Sequence, residues 1–255
     1  MYQSLEELTK TKEPYTALLY CAPGVGKSTA IGLIAEKSEG KTLVLDVDRT
    51  ITKTLAKHEV VKDLSKIDVE RIKTTTTQFA KDGKTVLEHG TWESWSNTIS
   101  NLGKLKEAGK LEYSTIAVDN ISELERCILS DLGSQGKNKG VPAQADYQYM
   151  QFKLVNSLRY LKSLGVNVVL TAWETVRDIV HPDGTTYSQF IPKISLKIVD
   201  NICGLCDVVG KILAKQDGTR GIVLEATQSI YAKNQIDNRK GCLVEDFVNL
   251  NKKED

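Results

Sequence analysis

No apolar run in this sequence is long enough to span a bilayer, and the N-terminal MYQSLEELTK lacks the apolar core of a secretory leader. A cytoplasmic protein with no membrane partner is expected. Neither charge dominates: 34 Lys and Arg face 33 Asp and Glu. A nucleic acid, if bound, must therefore meet a local patch. The five cysteines, at 21, 127, 203, 206 and 242, are odd in number, which argues against a disulfide framework. Cys203 and Cys206 form a C-x-x-C, but no second pair or His pair stands near it. Two small core residues on one helix is the better reading than a zinc site. Internal repeats and low-complexity segments are missing too. The 255 residues suit one large α/β domain, or one domain with a small appendage.

What is present is a stretch with a definite chemistry. Tyr15 to Tyr20 reads as an apolar strand, Cys21 to Lys27 as a tight Gly-rich loop, and a helix follows from Ser28. Successive N–H groups of such a turn wrap an anion, and the helix N-terminus adds its free donors and dipole. The nucleotide would sit on Pro23, Gly24, Val25, Gly26, Lys27, Ser28 and Thr29. Lys27 would reach the β- and γ-phosphates, and the Ser28 hydroxyl would ligate Mg²⁺. The first glycine of G-x-x-x-x-G-K-[ST] is replaced by Cys21, a small residue.

Strands and helices then alternate. Lys41 to Asp46 reads as a buried parallel strand, and Trp92 to Ala108 as a helix with Trp92, Trp95, Ile99, Leu102 and Leu105 on one stripe. Tyr113 to Asp119 is an apolar run ending in Asp, a Walker B pattern whose Asp119 would hold Mg²⁺ beside the phosphates. The alternative is that Asp119 caps the helix that follows. Helices are expected over Ile121 to Leu132 and Ala145 to Leu164, with a loop from Gly133 to Val141 between them. Val166 to Ala172 is another buried strand. Beyond Thr175 come a hairpin or long loop around HPDGT, a helix from Ser195 to Leu205, and strands over Asp207 to Leu213 and Gly221 to Ala226. The alternation predicts an α/β three-layer sandwich: a mainly parallel, RecA-like P-loop sheet with an antiparallel C-terminal edge. It is read as one domain over 1–255, with a lead-in over 1–14 and a solvated tail over 248–255. A strand between the two Walker strands is expected in the RecA-like branch. An Arg-rich acceptor lid, which a nucleoside kinase needs, is not seen.

The blocks LLYCAPGVGKST, STIAVDNISEL, ADYQYMQFKLVNSLRYLKSLGVNVVLTAWE, DVVGKIL and YAKNQ together resemble the phage-encoded nucleotide-binding proteins of the RecA-core AAA class. That class includes small single-strand-annealing recombinases. The resemblance implies an ATP-binding, Mg²⁺-dependent ATPase, active on single-stranded DNA in recombination or replication and working as a homo-oligomer. It implies that Lys27, Ser28 and Asp119 hold ATP and Mg²⁺, and that Asp48, where a Glu is expected, activates the attacking water, with Asp46 as the alternative. Asn120, beside the Walker B Asp, cannot take a proton. Trp173 and Glu174 stand where a γ-phosphate sensor is expected. Lys233 falls in a tract that would reach a neighbouring subunit's ATP. DNA contact would come from Lys137 and Lys139 in one loop, and from Arg177 and Lys193, with His181, Tyr187 and Phe190, in another. A different reading is an ATP-gated protein-binding module with little hydrolysis, partnering a single-strand-binding protein. A small-molecule kinase is the third.

Overall fold

The computed structural model describes Ser4 and residues 13–57, 61–74, 76–79, 85–88, 90–138 and 140–249, with 57, 76–79, 85–88 and 249 described for backbone only. In chain order the elements are β1 (Thr16–Cys21), α1 (Lys27–Lys37), β2 (Lys41–Asp46), α2 (Ile51–Lys57), a 3₁₀ turn (Leu64–Lys66), β3 (Ile67–Arg71), β4 (Thr76–Phe79) and β5 (Thr85–Glu88). There follow α3 (Thr91–Glu107), β6 (Tyr113–Asp119), α4 (Ile121–Gln135), α5 (Gln144–Ser163), β7 (Asn167–Val180), β8 (Thr186–Pro192) and α6 (Val199–Leu205). The C-terminal part holds β9 (Val208–Ala214), β10 (Arg220–Val223), β11 (Lys233–Asn234), β12 (Gly241–Leu243) and a 3₁₀ segment (Val244–Asn249). The expected lead-in and tail lie mostly outside the described residues.

The main sheet runs β12-β10-β9-β1-β7-β6-β2-β3. From β9 to β3 every neighbouring pair is parallel; β10, β12 and β11 add antiparallel pairs at the C-terminal edge. β7 lies between β1 and β6, the place expected for a strand separating the two Walker strands. Because successive side chains of a strand face opposite sides, each central strand feeds two cores. Leu18, Tyr20, Leu45, Ile116, Val118 and Leu170 pack under α3, α4, α5 and α6. Leu19, Val44, Ala117 and Val169 pack against Ile31 and Ile34 of α1, Ile51 and Leu55 of α2, and Phe247. This is the α/β three-layer sandwich. Trp95, the largest fully buried side chain, places its indole N–H on the Ser157 hydroxyl at 3.0 Å, which joins α3 to α5.

Two elements differ from expectation. β7 does not stop at Ala172: Glu174 to Val180 continue as one strand because β8 pairs with them antiparallel, Glu174 opposite Pro192. The helix expected from Ser195 begins only at Val199. The Ser195 N–H is held by the Glu125 carboxylate, and Ile198 (φ −125°) is not helical.

Glu125 is itself a buried acid on α4, with both oxygens 3.0 Å from the Ser195 nitrogen. Burial pushes its carboxyl from 4.5 up to about 7, against the opposing pull of the Ser195 hydrogen bond. A raised folded pKa contributes stability that is full below the unfolded value and lost as pH rises through the folded one. Glu125→Gln keeps an acceptor for Ser195 but does not ionise. Its unfolding free energy should match the wild type near pH 4 and exceed it by up to about 3 kcal/mol at pH 8. Denaturant melts across that range test this; parallel curves would refute it.

Candidate nucleotide site

The carboxyl ends of β1, β7, β6 and β2 meet at one edge of the sheet, where Cys21 is level with Trp173 and Asp46 with Asp119. Open α/β sheets place ligands at this edge. The loop after β1 turns through Gly24 (φ +82°) and Gly26 (φ +126°), conformations that side chains disfavour. Cys21 is tolerated at the first glycine position because it is the last residue of β1 and its backbone is extended. Its buried thiol is pushed up to about 11, chiefly by desolvation. Gly26 is the N-cap of α1 and supplies no capping side chain, so the first N–H groups of the helix keep their capacity for an anion.

Lys27 opens α1. It is not the exposed loop lysine that a flexible phosphate loop suggests: it is 8% exposed. Among the described residues its ammonium has no hydrogen bond or ion pair. A cation that no hydrogen bond or ion pair engages is available to a phosphate.

Ser28 and Asp119 converge. The Ser28 hydroxyl donates to Asp119 Oδ2 at 2.6 Å, and Thr171 of β7 donates to Oδ1 at 2.8 Å. These are hard oxygen donors. Mg²⁺ binds through one or two carboxylates plus substrate phosphates and retained waters, not in an all-protein cage. The donor set fits it, and among the described residues no cluster of three His, Cys, Asp or Glu side chains could hold a metal. When bound, Mg²⁺ would be held by Ser28 and Asp119 and would offset the charge of the phosphates.

Asp48 follows β2. Its N–H reaches Asp119 O at 3.3 Å, and its Oδ2 accepts from the Asn120 amide at 2.6 Å. Its Oδ1 is buried without a partner. Burial, with Asp119 close by, pushes its carboxyl up to about 7, opposed by Lys27. Asp46, the alternative, is fully enclosed, and its carboxyl is raised by desolvation and by Asp119. Asp48 is the less enclosed of the two residues, with one oxygen held by Asn120 and the other left unpartnered. The helix cap is Asn120, whose Oδ1 accepts from the Glu123 N–H at 2.9 Å; Asp119 is left to face Ser28. Asn120, set aside in the sequence because it cannot take a proton, thus orients Asp48.

The remaining expected residues separate. Trp173 donates its N–H to Ser122 at 2.9 Å, and its ring lies 5.7 Å from both Arg126 and Lys193. Glu174 pairs with the buried Lys211 at 3.0 Å, and Lys211 also covers the Phe190 ring. Phe190 is therefore packed inward and not offered to a base. Arg177 is bound to Gln189 and Asp200 and stacks on Tyr231. Lys137 and Lys193 are exposed; Lys139 lies outside the described residues. The Lys233 ammonium donates to Cys206 O at 2.6 Å, with Gly204 O at 3.4 Å and Cys203 O at 3.5 Å. It caps the C-terminus of α6, whose unpaired carbonyls attract a cation. It also pairs with Val209 at the start of β9, the end of the sheet away from the loop.

Sequence reasoning passed over Thr171 and Arg220. The Arg220 Nε donates to Val25 O at 3.1 Å, and its guanidinium lies where a side chain at Gly26 would be. Thr171 is one residue inside the VNVVLTA strand end; Arg220 carries no local signal.

A family model described as an AAA domain matches residues 13–236. No curated protein matches. Three solved structures are similar to this chain. An ATPase of the type III secretion system of pathogenic bacteria has 15% identity and a TM-score of 0.44, covering 80% of this chain and 53% of its own, so this chain spans about half its length. The RadB recombinase has 12% identity and a TM-score of 0.40, with 87% and 86% covered. A KaiC-like protein from the archaeon Pyrococcus horikoshii OT3 has 14% identity and a TM-score of 0.43, with 83% and 79% covered. No helix among the described residues is long and apolar enough to cross a membrane.

Proposed function

We propose that this chain, which belongs to the AAA domain family, is a Mg²⁺-dependent ATPase folded as one RecA-like domain. The observation that carries the reading is the convergence at one strand edge of Lys27, which has no hydrogen bond or ion pair among the described residues, the Ser28–Asp119 pair and the unpartnered Asp48 Oδ1. In this reading Lys27 and the α1 N–H groups hold the phosphates of ATP. A water oxygen bonds the γ-phosphorus as the bond to the β,γ-bridging oxygen breaks, and ADP leaves with that electron pair. Asp48 Oδ1 accepts the water's proton, while Asn120 holds the other oxygen.

The finer reading is that turnover serves single-stranded DNA in phage recombination or replication, in a homo-oligomer. Lys193, exposed against Trp173, puts one cation beside the nucleotide edge, and Lys137 adds another. Measuring ATPase rate with and without single-stranded DNA, alongside mass by light scattering, tests it. Stimulation that fades with salt is expected; no DNA binding at low salt with an ATP analogue would refute it.

One observation favours the second reading, an ATP-gated module for a protein such as a single-strand-binding protein. The outer face of α5 presents Tyr149 and Phe152, 61% and 71% exposed, beside a groove lined by Trp92, Ile99, Lys153 and Tyr160. Under that reading Phe152→Ala abolishes partner capture and spares ATP binding.

A further inference from the structure

β9 outruns β1. Its Lys211 is level with Tyr20, so Leu213 and Ala214 extend beyond the end of β1, and the turn 215–219 overhangs the phosphate loop. The chain returns at Arg220, opposite Ala214. From there the Arg220 side chain reaches back 195 positions in sequence to the loop, with Nε on Val25 O at 3.1 Å and Nη1 on Gly218 O at 3.2 Å. One guanidinium thereby ties the hairpin turn to the phosphate loop.

We propose that Arg220 is a positioning residue for the nucleotide. The inference rests on the reading of this loop as a nucleotide site. A trans peptide is planar, with its carbonyl and the following N–H pointing in opposite directions. Arg220 holds the Val25 carbonyl outward, so the Gly26 N–H is turned to the other side, into the cradle where phosphate-loop amides face the α- and β-phosphates. The absence of a side chain at Gly26 is what lets the guanidinium lie there, since a Cβ would collide with its Nε and Cδ. Arg220 is half-buried and its fork engages two carbonyls at once. A lysine, with a single nitrogen on a flexible stem, does not reproduce that geometry.

The test compares wild type, Arg220→Ala, Arg220→Lys and Lys27→Ala for ATP and ADP affinity by calorimetry, with nucleotide-free melting as the fold control. Arg220→Ala is expected to weaken both nucleotides by about tenfold, the size of one hydrogen bond to a charged group, with the nucleotide-free melting midpoint unchanged. Arg220→Lys, which keeps the charge, is expected to stay equally weak. Wild-type affinity in Arg220→Ala overturns the inference, and full rescue by Arg220→Lys overturns it in favour of charge alone. If Arg220→Ala melts early, hydrogen exchange of the Gly26 amide in Arg220→Lys decides, with unchanged exchange counting against the proposal. Failure of the reading beneath it looks different: the wild type itself binds neither nucleotide, or Lys27→Ala binds both normally.

Discussion

Asp48→Asn lowers ATP turnover by about a hundred- to ten-thousand-fold, the usual contribution of a positioned general base. The asparagine is nearly isosteric and can still meet Asn120, but it has no carboxylate to accept the proton. ATP affinity is expected to be equal or tighter, because one negative charge near the phosphates disappears. Single-turnover hydrolysis and equilibrium binding, measured on the same sample, separate these effects. Turnover at the wild-type rate would remove Asp48 from the role. Asp46 is the more enclosed of the two acids, with both oxygens buried.

Lys27→Ala should abolish nucleotide binding, with affinity falling by about a hundredfold or more, because the ammonium is the one cation of the loop and meets the phosphates in a nearly dry setting. The same change should leave the stability of the nucleotide-free protein about unchanged. It removes a charge that has no hydrogen bond or ion pair among the described residues. Isothermal titration and a thermal melt check the two halves. Retained tight binding would mean that the phosphates rest elsewhere.

The parts of this site that could be read in the sequence are those set by local pattern. Strand, Gly-rich loop and helix are contiguous, so the loop residues and Ser28 were legible. Asp119 was legible because an apolar run must end somewhere, and in a parallel sheet it ends at the ligand edge. The strand between the two Walker strands followed from the same alternation. What could not be read depends on contacts across the fold. Arg220 lies 195 positions from Val25, and Thr171 lies 52 from Asp119. The start of α6 was misplaced because a carboxylate on α4, invisible to helical periodicity, holds Ser195. Lys233 was read from its place in a motif alone; the three backbone carbonyls of its own chain that meet the ammonium carry no local signal.

β7 has a mechanical consequence. Its first half is clamped between β1 and β6, and its last seven residues, Glu174 to Val180, pair with β8. The near part of that ribbon is tied down: Glu174 holds Lys211, Arg177 holds Asp200, and the Phe190 backbone bonds Ser229 and Tyr231. Beyond Arg177 three residues remain, which at about 3.3 Å each make a lever of roughly 10 Å. A tilt of about 10° there would carry the far turn by only roughly 2 Å, given that length. The His181–Thr185 turn is therefore held out from the nucleotide edge as a rigid extension of it, its position set by the anchored base of the ribbon.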